Sequence, residues 1–378
     1  MLYWLLYQVL HRYIPAFRVF SYITTRSALA SLTALGLTLA LGPWLIAKLR
    51  EWSFGQHIRD DGPQSHKRKA GTPTMGGLLI VIAIVIPTLL WADLSNPYVW
   101  LALLGLLGFG VIGFVDDYAK IARKRNLGLT VRRKFWAQVF VAMLIGFFLL
   151  LLHAKQAYST AINFPFFKQY KPDLLVESLT RNFWTYPLAF VFFYLFIVIV
   201  MVGSSNAVNL TDGLDGLAIG LMIIASGAMT ALTYVSSNAD LSSYLDLARL
   251  PRSQELTIFC AAMVGASLGF LWYNCHPAQV FMGDIGSLAL GGGLGIVAVL
   301  IKQEILLFLI GGVYVIEALS VILQVGSYKL RHGKRIFKMA PIHHHFEALG
   351  WTESTVIVRF WIAGLVMALF ALTTLKLR

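Results

Sequence analysis

Residues 97–120 read PYVWLALLGLLGFGVIGFVDDYAK. From Pro97 to Val115 there is no Asp, Glu, Lys or Arg; then Asp116 and Asp117 stand side by side, with Lys120 one turn on. A helix needs about 20 apolar residues to cross roughly 30 Å of hydrocarbon, so this stretch reads as a membrane span that ends on paired acids. Working outward, similar stretches fall near 27–47, 74–92, 97–115, 135–154, 186–203, 216–235, 256–273, 285–301, 305–328 and 360–375, the ninth interrupted only by Glu317. The expectation is an all-α integral membrane protein with about ten transmembrane helices, a single polytopic domain over 1–378 without internal repeats or low-complexity tracts. Residues 1–26 are aromatic but broken by Pro15 and Arg18, which suits an interfacial N-terminal segment better than a cleaved leader.

Composition supports the same class. Of 378 residues, 58% are hydrophobic and only 13% charged, where a soluble domain carries about a quarter charged residues. The two cysteines, Cys260 and Cys275, have no metal-site or redox spacing. The net charge of +13 would suggest nucleic acid in a soluble protein. In a polytopic chain, excess Lys and Arg instead set orientation and attract anionic headgroups, so the expected surroundings are membrane lipid, with no nucleic-acid partner. Alternate loops divide the 31 Lys and Arg as 19 against 12. By the positive-inside rule the richer side is cytoplasmic, which puts both termini in the periplasm.

An aspartate at a span centre costs about 2.5–3.5 kcal/mol, so the placement of acids is informative. Asp116 and Asp117 end the third span, Asp212 and Asp215 follow the fifth in NAVNLTDGLDGLA (206–218), and Asp284 precedes the eighth in FMGDIGS (281–287). All five fall at the same, cytoplasmic, face, together with SHKRKAGTPTMGG (65–77) and the histidine run PIHHHFE (341–347). Helix capping is the structural alternative for Asp215 and Asp284. It is weaker for the 116–117 pair, because a helix C-terminus disfavours negative charge. Acids against their own dipole, beside basic loops, fit a site where Mg²⁺ and phosphates join them. One of the pair would face a metal or nucleophile while the other orients it or pairs with Lys120.

Asn209, Asp212 and Asp215 stand at i, i+3 and i+6, one face if helical, or else part of a glycine-bearing turn. Three consecutive histidines point in different directions, so His343 and His344 suit hydrogen bonding to a diphosphate, sugar or peptide better than zinc, and His345 suits packing. Lys69 and Thr74 lie where small residues permit close approach of an anion. Lys134 and Gln138 share a face at the start of the fourth span.

These motifs, in this order and with these separations, resemble the phospho-N-acetylmuramoyl-pentapeptide transferase family, within the wider polyprenyl-phosphate N-acetylhexosamine-1-phosphate transferases. The resemblance spans almost the whole chain; GTPTMGG and the triple histidine narrow it to the muramoyl-pentapeptide branch. It implies an inner-membrane homodimer, dependent on Mg²⁺, that transfers phospho-MurNAc-pentapeptide from UDP-MurNAc-pentapeptide to undecaprenyl phosphate, giving lipid I and UMP for peptidoglycan. It also implies roles: Asp284, assisted by Asp117, for the metal; Asp116 for deprotonating the lipid phosphate; Lys120, Lys134 and His343 for the reacting phosphates. Lys69, Asp215, Phe281 and Gly283 would hold uridine, and Asn209, Asp212, Asn274, Gln324, His343 and His344 would line the phosphate, sugar and peptide region. A sister enzyme using UDP-GlcNAc is the near alternative. A transporter is the distant one, with Glu317 as a midplane carrier residue and Gly311 and Gly312 as a bend.

Overall fold

The computed structural model describes residues 1–52, 71–122, 128–165, 167, 170–176, 179–180, 182–245 and 247–376. They form thirteen α-helices and no strand beyond one isolated bridge between Ala161 and Asp173. The helices are α1 (Ile23–Glu51), α2 (Gly77–Trp91), α3 (Pro97–Ala122), α4 (Val131–Ala154), α5 (Leu188–Thr211), α6 (Leu217–Ser237) and α7 (Ala239–Tyr244). They continue with α8 (Gln254–Asn274), α9 (Gly283–Leu300), α10 (Glu304–Ile310), α11 (Gly312–Leu330), α12 (Ile342–Ala348) and α13 (Glu353–Thr373). Among the described residues nine of these are long and apolar enough to cross a membrane.

Two of the ten expected spans come out differently. The stretch 74–92 yields only the 15 residues of α2, about 22 Å at 1.5 Å per residue. The stretch 305–328 is divided at Gly311 into α10 and α11, and only α11 is long enough to cross alone. The interfacial segment is not one helix: Trp4–Val9 is a π turn, and Leu10–Arg12 and Pro15–Ser21 are 3-10 pieces, broken where Pro15 can donate no backbone hydrogen bond.

The centre of the bundle is α9, GDIGSLALGGGLGIVAVL, buried on every side from Ile285 to Leu300. Lipid tails are as apolar as leucine, so helices in a membrane associate by close fit, which small residues permit. Its glycines let α3 and α5 pack directly on it. By contrast α4, α11 and α13 turn large side chains outward, among them Phe140, Phe147, Ile322, Leu323, Val366 and Phe370, as a lipid-facing surface requires.

Alternation of the crossing helices sorts the connections into two ends. At one, the Met1 ammonium donates to the Leu89 and Leu90 carbonyls, and Lys376 Nζ donates to the Tyr244 carbonyl. Arg26 lies there, 2% exposed, its guanidinium held by both oxygens of Glu255 at 2.8 Å and donating to the Trp91 carbonyl at 3.1 Å. Lys302 is sealed nearby against Glu304 at 2.7 Å and the Tyr158 hydroxyl at 3.2 Å. The opposite end carries the conspicuous polar motifs.

Candidate active site

Asp116 and Asp117 do not terminate their helix; α3 runs on to Ala122, so Lys120 is held on the same helix one turn beyond them. Asp284 comes from the first turn of α9. Gly113, one turn before Asp117, lies so close to the Asp284 backbone that any Cβ would overlap the Asp284 carbonyl, which brings the two helices together at the acids.

Each carboxylate is anchored by one oxygen and offers the other to a common point. Asp116 Oδ1 accepts from the Leu129 backbone N–H at 2.7 Å. Asp117 Oδ2 accepts from the Ile285 N–H at 3.2 Å. Asp284 Oδ1 accepts from Asn209 Nδ2 at 2.8 Å, and that amide also reaches the Ser287 hydroxyl. The remaining oxygens converge on Lys120 Nζ: Asp116 Oδ2 at 2.8 Å, Asp117 Oδ1 at 3.1 Å and Asp284 Oδ2 at 2.9 Å. Three acceptors match the three donors of an ammonium. Lys134, from the first turn of α4, adds a second cation 2.7 Å from Asp284 Oδ2 and 3.8 Å from Asp116 Oδ2. Gln138, one turn further on, is 1% exposed and receives Asn206 Nδ2 at 2.7 Å, which ties α4 to α5 behind the lysine.

Ligand atoms of the three aspartates lie within 4.8 Å of one another. All are hard carboxylate oxygens, half of them already held by fixed donors, the set that suits Mg²⁺, which takes one or two carboxylates and keeps several waters. The donor set therefore fits the expected cation.

Asp212 and Asp215 leave the helix: α5 ends at Thr211, so the i, i+3, i+6 face does not form and Asn209 alone projects from it toward Asp284. Asp212 is half-buried in the turn. Burial, and then the negative charge of Asp284, Asp117 and Asp215, pushes its carboxyl up to about 8. Asp215 faces a different group. Its Oδ2 accepts from the Ala278 N–H at 3.2 Å and lies 3.2 Å from His276 Nδ1, while Glu353 Oε1 accepts from the Asp215 N–H at 3.1 Å. Neither Asp215 nor Asp284 caps a helix, since α6 and α9 start without a side-chain cap.

The segment 73–77 of the basic loop is clasped to 281–283. Phe281 N–H donates to the Pro73 carbonyl at 2.8 Å, Gly76 N–H to the Phe281 carbonyl at 2.9 Å, and Gly77 N–H to the Met282 carbonyl at 2.8 Å. Gly283 has φ +72°, and a Cβ there would sit 2.6 Å from Asp117 Oδ2 and 3.1 Å from Thr74 Oγ1. Conformation and space thus both demand glycine between Thr74 and the acids. Phe281 is half-buried beside them, and Lys69 lies outside the described residues.

Two of the expected lining residues are engaged with backbone. Asn274, 3% exposed, donates to the Val280 carbonyl at 2.9 Å and accepts from the Gly216 N–H at 3.1 Å, fixing the loop that leads to Phe281. Gln324 donates to the Phe337 carbonyl and accepts from the Ile336 and Phe337 N–H groups, which orders the approach to the histidine run. In that run His345 Nδ1 accepts from the Lys338 N–H at 3.1 Å and packs against Phe337 and Phe346. His344 Nδ1 is 2.7 Å from Glu347 Oε2. His343 is fully buried with Nδ1 3.1 Å from Glu317 Oε2, so Glu317 belongs to the polar end and is not an isolated charge at the middle of a carrier. Glu353, His276 and Glu347 were not picked out by sequence reasoning. A carboxylate in a first helical turn or one turn after a histidine carries no signal until the fold shows its partner.

Comparison with known proteins identifies the family. The model for Glycosyl transferase family 4 matches residues 99–302, and phospho-N-acetylmuramoyl-pentapeptide-transferase signature 1 matches residues 69–81. The chain is 68% identical over 378 residues to the phospho-N-acetylmuramoyl-pentapeptide-transferase of Solibacter usitatus (strain Ellin6076), covering 100% of both chains. It is 62% identical over 385 residues to the enzyme so named from Koribacter versatilis (strain Ellin345), again covering 100% of both. A matched domain that contains Asp116, Asp117, Asn209 and Asp284, a matched signature that contains Thr74, and full-length identity well above half lead to one assignment: the chain belongs to the phospho-N-acetylmuramoyl-pentapeptide-transferase family.

Proposed function

We propose that the protein transfers phospho-MurNAc-pentapeptide from UDP-MurNAc-pentapeptide to undecaprenyl phosphate, releasing UMP and forming lipid I, at the cytoplasmic face of the bacterial inner membrane. The observation that carries the reading is the convergence of Asp116 Oδ2, Asp117 Oδ1 and Asp284 Oδ2 on one point, with Lys120 and Lys134 beside them. Such a point accepts a divalent cation or an ammonium, and its surroundings supply the positive charge that two phosphorylated substrates need.

In the transfer, an oxygen of the lipid phosphate bonds to the β-phosphorus of the donor while the bond to UMP breaks and UMP leaves with the electron pair. Both reactants are anions, so neutralisation and in-line positioning are the main requirements. Mg²⁺, held by Asp284 and Asp117, would supply charge neutralisation on the diphosphate. Lys120 and Lys134 are placed to turn from the carboxylates to phosphate oxygens as substrates arrive. Asp116, with Oδ1 fixed by the Leu129 N–H, keeps Oδ2 available to take the last proton from the lipid phosphate. The second phosphate pKa lies near 6, so little base strength is needed. Asn209 keeps Asp284 aimed by filling its other oxygen.

The positive-inside distribution supports a cytoplasmic site with both termini periplasmic, and a homodimer in the membrane is part of the same reading. Purified enzyme given radiolabelled UDP-MurNAc-pentapeptide or UDP-GlcNAc with undecaprenyl phosphate should form lipid-linked product only from the former; product from UDP-GlcNAc alone would assign the sister activity. Excess EDTA should stop turnover. A cysteine introduced at His332, in a background without Cys260 and Cys275, should resist a membrane-impermeant reagent in intact cells, and labelling from outside would invert the topology.

A further inference from the structure

Glu317 and His343 are both fully buried, and none of their four side-chain nitrogen and oxygen atoms has an aligned hydrogen-bond partner among the described residues. Buried polar atoms in this state are rare, and each calls for a reason. The two groups are nevertheless adjacent: His343 Nδ1 is 3.1 Å from Glu317 Oε2, ion-pair distance without hydrogen-bond alignment. The ring's other nitrogen, Nε2, points to Gly213, where an added Cβ would overlap it. His344 repeats the arrangement. Its Nδ1 is 2.7 Å from Glu347 Oε2, its Nε2 faces the same glycine, and the two rings are 4.1 Å apart.

Two imidazoles from one turn of α12 thus each turn Nδ1 to a carboxylate and Nε2 to the turn that carries Asp212. A carboxylate that accepts from Nδ1–H orients the ring and favours its charged form, in which Nε2–H is a donor as well. We propose that Glu317, from α11, is a positioning residue for His343, and Glu347 one for His344, so that the paired Nε2–H groups donate to a single anionic group of the donor substrate, its diphosphate. The inference rests on the functional reading above, in which these histidines meet the donor. The imperfect Glu317–His343 alignment belongs to it: hydrogen bonds in a catalytic constellation often tighten only once substrate is bound.

The test separates orientation by charge from simple filling of space. Glu317→Gln keeps the volume but removes the carboxylate charge that favours the doubly protonated ring, so Nε2–H loses its charge-assisted hydrogen bond to the diphosphate. Glu317→Asp is shorter but keeps the carboxylate. If Glu317 orients His343, the Gln variant loses roughly ten- to hundredfold in kcat, the Asp variant stays closer to wild type, and the midpoint of Mg²⁺ activation does not move. In the background of His343→Ala, Glu317→Gln should cause almost no further loss, the non-additivity of residues that act as one unit. A Gln variant as active as wild type, an Asp variant worse than Gln, or full additivity with His343→Ala overturns the proposal. Full activity of His343→Ala itself would instead remove the reading that His343 meets the donor, which keeps the two failures distinct. Thermal unfolding of every variant shows whether a loss comes from the folded protein.

Discussion

The two ends of the bundle handle charge in opposite ways. Where the described termini lie, Arg26 meets Glu255 through two 2.8 Å hydrogen bonds, and the Asp93 N–H completes the Glu255 shell at 2.8 Å. Lys302 likewise has Glu304 and Tyr158. Cation and anion are matched in number and closed from solvent. At the other end three aspartates share two lysines, and an unusually basic Asp212 stands beside them. A matched, sealed pair offers a ligand no access: even Arg26 Nε and Glu304 Oε2, which have no hydrogen-bond partner among the described residues, are buried. A set with more anions than cations, held rigid by one oxygen each, keeps part of its binding capacity, and the difference separates an architectural ion pair from a candidate site.

The sharpest way to break the contrast is Asp284→Asn. It should lower kcat by roughly a hundred- to a thousandfold, as removal of a preorganised electrostatic group does. The protein should stay folded with a melting temperature that holds or falls modestly, because the ion pairs of Asp284 with Lys120 and Lys134 are lost while the volume is kept; activity measured as lipid-linked product, beside thermal unfolding, checks both. The mirror experiment is Glu255→Gln. Leaving Arg26 buried without its carboxylate should cost about 3–5 kcal/mol of stability, while kcat per folded molecule stays at the wild-type value. Replacing both members, Arg26→Met with Glu255→Leu, should recover most of that stability. If Glu255→Gln instead reduced kcat in folded protein, the outer pair would not be merely architectural.

Gly283→Ala tests rigidity at the site. The residue would be strained at φ +72°, and its Cβ would press on Asp117 Oδ2, so about 1–3 kcal/mol of stability and a weaker response to Mg²⁺ are expected. The smallest effect concerns Asp212. Its carboxyl is raised to about 8 in the fold, so the folded protein holds this proton more tightly than the unfolded chain. That contribution to stability is complete below about pH 4 and is lost as pH rises toward 8. Asp212→Asn should therefore gain on wild type between pH 5 and 9 in thermal unfolding. A divalent cation at the aspartates should favour the ionised form, so its binding should release protons, visible as buffer-dependent heats of titration.

How much of this was legible in the sequence differs between the same two ends. The site's carboxylates announced themselves because Asp116, Asp117 and Asp284 interrupt or border apolar runs, where charge is costly. The spans were legible for the same reason, except where length failed: α2 is too short to register beyond its apolar content, and the break at Gly311 leaves hydropathy unchanged. Arg26 and Glu255 were invisible as a pair, since 229 residues separate them and each lies where a loop charge is ordinary. The parting of Asp215 from Asp212 was equally hidden. Only the end of α5 at Thr211 turns one toward the aspartates and the other toward His276 and Glu353.

Lys120 has a last consequence, for the order in which the protein is made. It emerges from the ribosome just after Asp116 and Asp117 and can pair with both inside α3, at 2.8 and 3.1 Å. Asp284 follows it by 164 residues, roughly 8–30 s of translation at about 5–20 residues per second. Through that interval the nascent third helix carries its own counter-ion, which lowers the charge it must bring to the membrane boundary. When α9 arrives, the same ammonium is already in place to receive Asp284. The ammonium that bridges all three aspartates in the fold thus also offsets the charge of its own helix before the third aspartate exists.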